Sequence, residues 1–473
     1  MKHRKYSEST KRIITLFLGL SELVMQTLIY AWYWFKAYYP ILSSNRISRD
    51  GYNFGAGIKF TLNGHIVVIL IYALLLFFFS RTYGGMKIGY QKPLDVFLSQ
   101  IFTILIVNVL SYMQLSLMRN WIVSPYPILK VLGLELLLSF VWTYIIDFLY
   151  KKFVQSPREL LLISGGDHPT DDIEKKFGSR PDRFHIKKRM NTSEGLDALK
   201  KECQSSEYGG VIVWDIPTQL RNDLVKYCYA NSIRLYVMPK ISDVLMKGSE
   251  QMHLFDTPVL LIREYSIKIE QRILKRLIDI VCSLILIVLS SPAMLITALL
   301  VHFYDNGPVL YKQVRCTKGQ KEFYIMKFRS MRQDAEKDGV ARLASKNDSR
   351  ITPIGKFIRK VRLDELPQLF NILRGDMSFI GPRPERPEII AQYLEEMPEF
   401  AFRTKVKAGL AGYAQVYGKY NTTPYDKLKL DLTYIENYSV WLDIKLMLLT
   451  LKILFTPDAT EGIENNQITA MKK

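Results

Sequence analysis

The chain has 473 residues, enough for two or three domains with their own cores. Its formal net charge of +19 invites a nucleic-acid-binding interpretation, but no zinc-finger, homeodomain or RNA-recognition pattern accompanies the charge. We therefore expect no nucleic acid partner and assign the basic residues to anionic lipid headgroups and phosphate groups. The four cysteines form no C-x-x-C pair and the six histidines no H-x-x-x-H group, which argues against a structural zinc site or a disulfide framework.

Four apolar stretches, at about 13–35, 62–80, 95–117 and 128–149, have the length of helices that cross a bilayer. No small-residue cleavage site follows the first stretch, which favours a membrane helix over a signal peptide. Basic residues precede the first stretch, separate the second from the third and follow the fourth, although the loop 36–60 is also basic. Residues 1–150 are therefore predicted to be a four-helix transmembrane bundle with both ends in the cytoplasm.

Residues 151–265 are predicted to form a Rossmann-like α/β domain, because strand-like runs alternate with polar amphipathic stretches. Strands are expected at Glu159–Ser164, Gly210–Asp215 and Arg234–Met238. The first strand leads into Gly165-Gly166-Asp167-His168, which lacks the G-x-G-x-x-G spacing of a dinucleotide site. A structural or regulatory module is therefore favoured over a nucleotide-binding one.

A fifth apolar segment, Leu277–Val301, contains Ser291 and Pro292 near its middle. Proline removes a helix hydrogen bond, so a kink is expected there. Both flanks are basic, whereas a spanning helix would place one flank outside. We therefore expect 277–301 to be a re-entrant helix broken at Ser291 and Pro292, with an ordinary kinked span as the alternative.

Residues 266–460 carry the candidate chemistry, and 461–473 form a polar tail. Two alternating runs, Val309–Arg315 and Lys321–Phe328, predict a β-hairpin, and Thr352-Pro353 predicts the start of a short helix. These two elements bring many basic side chains close together in sequence: Lys327, Arg329, Arg332, Lys356, Arg359, Lys360 and Arg362.

Asp364 and Glu365 stand next to these cations, before an apolar helical face that ends at Gly375 as C-cap. On the local pattern alone, Asp364 is a helix N-cap. A helix N-terminus also binds anions, so a second interpretation stands beside the first. In it, an ionised Asp364 attacks a phosphoryl group, while Glu365 holds Mg²⁺ or assists proton movement.

Two later loops are candidates for ligand contact. Gly381–Pro387 contains three prolines and fixes Arg383 for bidentate phosphate recognition, with a purely structural turn as the alternative. Lys407–Gly418 is punctuated by glycines, contains Gln415 and would let a ligand approach the backbone closely. The apolar run Trp441–Phe455 fits either a helix in the headgroup plane or a buried core helix.

Several of these features occur in one order that is typical of a known family. The matching motifs are Lys275-Arg276 with Asp279, Ser291-Pro292, Lys327 to Met331, Leu363 to Leu366, Arg374 to Pro384, and Leu430 to Leu432. The stretch 275–455 resembles the catalytic domain of the bacterial polyprenyl-phosphate hexose-1-phosphate transferases, the monotopic phosphoglycosyl transferases. The helices and the Rossmann-like domain ahead of it resemble the long form of that family.

The resemblance implies a membrane enzyme of a bacterial inner membrane, with its α/β catalytic domain in the cytoplasm and anchored by the re-entrant helix. Asp364 would take a phosphosugar from a UDP-sugar, release UMP and pass the group to undecaprenyl phosphate. Glu365 would assist, and Mg²⁺, held by Asp364 and Glu365, would be required. The resemblance also suggests residues that hold phosphate or substrate: Lys327, Arg329, Arg359, Arg383, Asp431 and Gln415.

Family members commonly begin exopolysaccharide, capsule or O-antigen synthesis, and a homodimer is a further expectation. The chain departs from the family at Ala408, Ala411 and Lys419, in the loop that would lie near the nucleotide. Two alternatives remain open. One is a catalytically silent, nucleotide-sensing membrane scaffold. The other is a metal-dependent glycosyltransferase, although no D-x-D motif occurs in the catalytic region.

Overall fold

The computed structural model describes residues 6–43, 62–119, 122–165, 170–262, 267–332, 350–418 and 422–454, together with 335 and 348. The chain divides into two compact units, Met1–Met238 and Pro239–Lys473. Some predictions lie outside the described residues: those on Gly166, Asp167 and His168, on Lys419, on most of the loop 36–60 and on the tail 461–473.

Four long helices begin the first unit and pack in a closed ring, each on the next and the first on the fourth. They are α1 (Glu8–Tyr33), α2 (Leu62–Tyr83), α3 (Pro93–Arg119) and α4 (Tyr126–Phe153). A π-helical turn, Trp34–Tyr38, continues α1. Each helix is long and apolar enough to cross a membrane, as is a fifth helix in the second unit. The four predicted stretches therefore correspond to four observed helices, each of which extends into its polar flanks.

Several polar and charged side chains are buried between these four helices beside the apolar ones, which the apolar content of the stretches did not reveal. Glu22 of α1 accepts hydrogen bonds from Ser139 of α4 at 2.8 Å and from Gln100 of α3 at 3.2 Å. Glu135 of α4 accepts one from the hydroxyl of Tyr72 of α2 at 2.7 Å. Hydrogen bonds of this kind favour one pairing of helices where apolar side chains face lipid on the outside.

A four-stranded parallel sheet completes the first unit, in the order β2-β1-β3-β4. Its strands are β1 (Arg158–Ser164), β2 (Phe184–Asn191), β3 (Gly210–Trp214) and β4 (Leu235–Val237), and its helices are α5 (Asp171–Gly178), α6 (Leu196–Cys203) and α7 (Thr218–Ala230). The three predicted strands are observed within one or two residues. The edge strand β2 was missed because four of its eight residues are basic or histidine, which conceals the alternation while protecting an exposed sheet edge.

The second unit begins with α8 (Ile241–Gly248) and a hairpin of β5 (Glu250–Leu254) and β6 (Thr257–Leu261). The sequence had assigned this segment to the middle domain. Instead, Val244 of α8 belongs to the core of the catalytic unit, where α8 packs on a late helix.

The rest of the second unit contains small strands surrounded by helices. Its elements are α9 (Ile269–Asp305), β7 (Leu310–Cys316), β8 (Glu322–Phe328), α10 (Pro353–Lys360), α11 (Gln368–Arg374), β9 (Ser378–Ile380), α12 (Pro387–Glu396), β10 (Gly409–Ala411), α13 (Tyr413–Tyr417), α14 (Pro424–Glu436) and α15 (Val440–Leu454). The antiparallel pairing of β7 with β8 confirms the predicted hairpin. Leu446 of α15 is fully buried in the core, which favours the core-helix interpretation of that segment.

Helix α9 includes Ser291 and Pro292 as helical residues, and the predicted kink at this position stays a prediction. Because proline has no N–H, the carbonyl of Val288 loses its backbone donor. The Ser291 hydroxyl donates to that carbonyl at 2.8 Å and replaces the missing bond. The carbonyl of Val288 therefore stays hydrogen-bonded next to the proline, and the re-entrant placement of the helix in a membrane stays a prediction.

Buried polar contacts fix the start of α9 to the catalytic part. Lys275 donates to Asp443 at 2.7 Å, and Asp279 accepts from the backbone N–H of Phe379 at 3.0 Å. Arg276 donates to two carbonyls in the last turn of α11, at 2.6 and 2.7 Å. The Lys-Arg-Asp motif at the start of this helix is thus a structural attachment.

Asn371 ties α11 to the hairpin and offers a test of this framework. Its amide donates to the carbonyl of Tyr324 at 2.8 Å, and its carbonyl accepts from the N–H of Met326 at 3.0 Å. We expect Asn371→Ala to lower the free energy of unfolding by roughly 1–3 kcal/mol, because it leaves buried backbone groups unpaired. The measurement is the thermal unfolding midpoint of the purified protein. Asn437→Ala, at an exposed position of the same unit, is the control; equal shifts in the two variants would contradict the assignment.

Candidate active site

Asp364 and Glu365 lie in a short 3-10 turn, Leu363–Glu365, between α10 and α11. Arg362 precedes the turn with φ of 59°, in the left-handed region, and reverses the chain after α10. Helix α11 begins only at Gln368. The interpretation of Asp364 as a helix N-cap is therefore wrong, and so is the argument that a helix N-terminus keeps it ionised.

Glu365 is surrounded by cations from three separate segments. Its carboxylate lies 3.0 Å from Arg383, 3.3 Å from Lys327 of β8 and 3.6 Å from Arg362. Burial alone would raise its pKa, but Lys327, Arg383 and Arg362 together hold that pKa well below its usual range. Glu365 is therefore ionised, and both of its oxygens are engaged.

Asp364 differs from its neighbour although it is also buried, with 8% of its surface exposed. Within the described part of the chain, no side chain forms a hydrogen bond or ion pair with its carboxylate. Burial raises the pKa of Asp364 to about 6, with a further contribution from the charge of Glu365, against the opposing charges of Lys327, Arg359 and Arg362. Asp364 is thus a carboxylate in a cationic environment whose oxygens are free to meet a ligand.

Arg359 reaches this environment from α10. The predicted start of that helix is confirmed, because Thr352 accepts a hydrogen bond from the N–H of Gly355 at 2.9 Å. Arg359 is half-buried, and within the described residues its guanidinium forms no ion pair. Its charge therefore remains available to a substrate anion.

Arg329 does not join the cations around Glu365. Its guanidinium is buried and pairs with Asp305, the last residue of α9, with one contact of 2.7 Å. This pair attaches the hairpin to the end of α9. The role of Arg329 in phosphate binding stays a prediction that the geometry does not favour.

Asp431 lies behind the site and is almost fully buried, at 1% exposure. It pairs at 2.8 Å with Arg403, and Arg403 donates at 3.0 Å to the backbone carbonyl of Arg383. The pair therefore supports the loop that carries Arg383. Arg403 was missed because it lies in a segment without glycine, motif or charge cluster, and only its partner Asp431 was singled out.

A second buried carboxylate stabilises the same loop and was also missed. Glu385 lies 3.6 Å from Arg403 and 3.8 Å from Arg315, and it pairs with Lys427 of α14. Burial alone would raise the pKa of Glu385, but Lys427, Arg403 and Arg315 hold it at about 2. The loop around Arg383 is thus held by charge pairs on both sides.

The glycine-punctuated loop owes its glycines to contact with another part of the chain. A Cβ on Gly409 would lie 2.1 Å from the nitrogen of Gly381, and one on Gly412 would lie 2.2 Å from its carbonyl oxygen. Gln415 follows on α13, and within the described residues its buried Oε1 accepts no hydrogen bond. This oxygen is an unused acceptor, and a contact of Gln415 with substrate stays a prediction.

The residues fit a Mg²⁺ ion at Asp364 better than at Glu365. Mg²⁺ binds through one or two carboxylates together with substrate phosphates and water. The oxygens of Asp364 are free, whereas those of Glu365 already face three cations. Within the described residues, no three acidic, histidine or cysteine side chains form a metal cage, so a metal here would depend on phosphate oxygens for the rest of its ligands.

The chain is similar to known bacterial sugar transferases. Residues 270–457 match the bacterial sugar transferase family. A UDP-N-acetylgalactosamine-undecaprenyl-phosphate N-acetylgalactosaminephosphotransferase of Aeromonas hydrophila is 30% identical over 402 residues, 84% of this chain and 86% of that protein. The UDP-glucose:undecaprenyl-phosphate glucose-1-phosphate transferase of Escherichia coli (strain K12) is 39% identical over 210 residues, 43% of each chain. An undecaprenyl-phosphate galactose phosphotransferase of Salmonella typhimurium is 35% identical over 239 residues, 47% of this chain and 49% of that protein. The chain therefore belongs to the bacterial sugar transferase family, the undecaprenyl-phosphate hexose-1-phosphate transferases.

Proposed function

We propose that the protein transfers a sugar-1-phosphate from a UDP-sugar to undecaprenyl phosphate and releases UMP. The relatives are named for transfers of this kind to undecaprenyl phosphate, with N-acetylgalactosamine, glucose and galactose as the sugars. The observation that carries the proposal is the free, buried carboxylate of Asp364 beside a Glu365 that is fully paired with cations. The family's role as the first step of exopolysaccharide, capsule or O-antigen synthesis is proposed with it.

The reaction consists of two phosphoryl transfers. In the first, an oxygen of Asp364 attacks the sugar-bearing phosphorus, the bond from that phosphorus to the bridging oxygen breaks, and UMP leaves with the electron pair. An aspartyl phosphosugar remains. In the second, a phosphate oxygen of undecaprenyl phosphate attacks the same phosphorus, the acyl phosphate bond breaks, and Asp364 is regenerated. The product is an undecaprenyl diphosphate sugar.

The cations around the carboxylates bind and orient the diphosphate. Arg359 contributes a charge that no described carboxylate neutralises, and Glu365 holds Lys327 and Arg383 at fixed positions beside Asp364. Fixed cations stabilise the charge of phosphate oxygens during transfer. Mg²⁺ bound to Asp364 and the phosphates would neutralise further negative charge.

We also propose that α9 is re-entrant and that the catalytic unit is cytoplasmic, where UDP-sugars are made. Both ends of the helix attach to that one unit: Lys275 pairs with Asp443 near the start, and Asp305 pairs with Arg329 at the end. A helix with both ends on the same unit is more compatible with a path that enters and leaves the membrane on the same side than with one that crosses it. A bilayer, in a bacterial inner membrane, covers the exposed apolar residues between these ends.

A homodimer is proposed on the exposed hairpin of β5 and β6. Leu254, Phe255 and Leu260 on this hairpin are exposed. A two-stranded hairpin is marginally stable by itself in water, so a second copy of the chain that covers it would stabilise both.

Asp364→Asn tests the nucleophile. We expect UMP release from the UDP-sugar to fall at least about a thousandfold, because the amide cannot form the acyl phosphate. The wild-type protein, incubated without undecaprenyl phosphate, should retain a radiolabelled phosphosugar that the variant does not. Glu395→Gln, on the exposed side of α12 in the same unit, is the control for loss of one acidic charge.

Three results would contradict this proposal. Unchanged UMP release in Asp364→Asn would remove the mechanism. UDP instead of UMP as the product would indicate a single-step glycosyltransferase. A wild-type protein that releases neither nucleotide with any of a panel of UDP-sugars would favour a silent scaffold.

Asp431→Asn distinguishes support of the site from direct contact with substrate. We expect a loss of roughly 1–3 kcal/mol in the free energy of unfolding, because Arg403 loses its carboxylate partner at 2.8 Å and keeps only Glu385, at 3.6 Å. The thermal midpoint should fall, and KM for the UDP-sugar should rise with it. Asp426→Asn, which removes the charge from a pair with Lys429 on the same helix, should cost less, because Asp426 is more exposed than Asp431. A rise in KM with an unchanged midpoint would instead assign Asp431 to substrate binding.

The placement of α9 is tested by cysteine labelling in intact cells. In a variant without the four native cysteines, Lys312→Cys should react with a membrane-impermeant maleimide only after the cells are permeabilised. Asn53→Cys, in the loop predicted to lie outside, should react before permeabilisation. Labelling of Lys312→Cys in intact cells would establish a spanning helix and overturn the proposal.

A further inference from the structure

A basic pocket lies in the first unit, where the ends of the membrane helices meet the parallel sheet. We call it the junction pocket. Side chains from α1, from the turn between α2 and α3, from the end of α4 and from the starts of β1 and β2 line it, among them Lys11, Arg12, Tyr90, Tyr150, Arg158 and Arg183. Five segments that are distant in sequence thus build one concave, cationic surface.

The positive charge of the junction pocket exceeds its negative charge. Glu8 is the acidic residue of the lining, and Arg158 already pairs with it at 2.5 Å. Arg12 is exposed, and within the described residues its side chain forms no hydrogen bond or ion pair. Arg183 likewise has no ion pair within those residues. An anion bound here would meet charges that no carboxylate of the pocket neutralises.

Arg183 is held in place although it lacks an ionic partner. Its guanidinium lies 4.2 Å from the centre of the Tyr90 ring and donates to the Tyr90 carbonyl at 3.3 Å. Burial lowers the pKa of Arg183, and the nearby charges of Arg180 and Arg158 lower it further. A fixed guanidinium in this environment gains electrostatic stabilisation when an anion binds.

The position of the junction pocket separates two classes of phosphate ligand. Parallel α/β sheets bind nucleotides at the carboxyl ends of their strands, whereas Arg158 and Phe184 begin β1 and β2, so this pocket lies at the amino ends. Arg12 lies in the second turn of α1, near the end of a helix that is long and apolar enough to cross a membrane. Basic and aromatic side chains at such helix ends lie at the level of lipid headgroups.

We propose that the junction pocket binds the phosphate group of an anionic phospholipid, with Arg183 and Arg12 as its main ligands. Arginine suits this role because its planar guanidinium can donate two hydrogen bonds to one phosphate. All residues of this pocket belong to the first unit, whereas Asp364 belongs to the second. It would fix the end of the helix ring and the sheet to one leaflet of the bilayer.

The test uses the full-length protein, stripped of lipid in detergent, with dioctanoyl phosphatidylglycerol as the probe. Isothermal calorimetry gives the dissociation constant. We expect Arg183→Gln and Arg12→Gln each to weaken binding roughly tenfold, because each removes charged hydrogen bonds. Arg183→Lys, which keeps the charge but not the planar guanidinium, should bind with an affinity between those of the wild type and Arg183→Gln. Lys226→Gln, at an exposed position on α7, should bind as the wild type does.

Two further ligands, phosphatidylcholine and inorganic phosphate, distinguish a lipid phosphate from a soluble one. Dioctanoyl phosphatidylcholine should bind at least about tenfold more weakly, because its choline adds a positive charge near the arginines. Inorganic phosphate should compete only weakly, since it has no acyl chains. Equal competition by inorganic phosphate would assign the pocket to a soluble phosphate compound and overturn the lipid assignment.

Equal binding of phosphatidylglycerol by Arg12→Gln, Arg183→Gln and Lys226→Gln would overturn the site itself. Because Arg12 is exposed, its variant tests the site even if Arg183→Gln does not fold.

Discussion

The cations on Glu365 are the interaction on which the candidate site depends. Two adjacent carboxylates in one buried turn would repel each other if both were ionised and unpaired. Lys327 and Arg383 neutralise Glu365 through direct contact, and they leave Asp364 without a bonded partner among the described residues. One carboxylate thus positions the cations that we propose to bind phosphate, while its neighbour keeps free oxygens in the same electrostatic environment. Residue type alone could not assign these two roles, because they follow from which oxygens the cations reach.

The rest of the catalytic unit holds these few groups in position. Asn371 fixes α11 to the hairpin that carries Lys327, and Arg403 fixes the backbone of Arg383 from behind. Lys275 attaches α9 to the same core. A buried charge that loses its partner costs several kcal/mol. The paired charges therefore make the site rigid as long as each pair is complete, and the loss of one member disturbs groups several residues away.

Much of the fold was predictable because it rests on local periodicity. The four membrane stretches, three strands of the sheet, the β7–β8 hairpin and the cap at Thr352 all appear where the pattern placed them. One error lies where the chain departs from the local pattern. Arg362 adopts a left-handed conformation and α11 begins only at Gln368, so Asp364 does not cap that helix. The buried pairs of Arg403 left no signal in their own segments.

The glycine-punctuated loop Lys407–Gly418 shows that the prediction of functional contacts from sequence has the same limit. Its glycines suggested room for a ligand, yet Gly409 and Gly412 are required because the backbone of Gly381 passes against them. That contact sets β10 beside β9 and places the loop of Arg383 next to α13, where Gln415 keeps an unused acceptor. Glycines in a sequence can indicate that another group lies close to the backbone, but they do not identify that group. Here a second stretch of the chain is the neighbour, so the glycines by themselves are no evidence for a ligand, whereas the unused acceptor of Gln415 leaves a group that a ligand can meet.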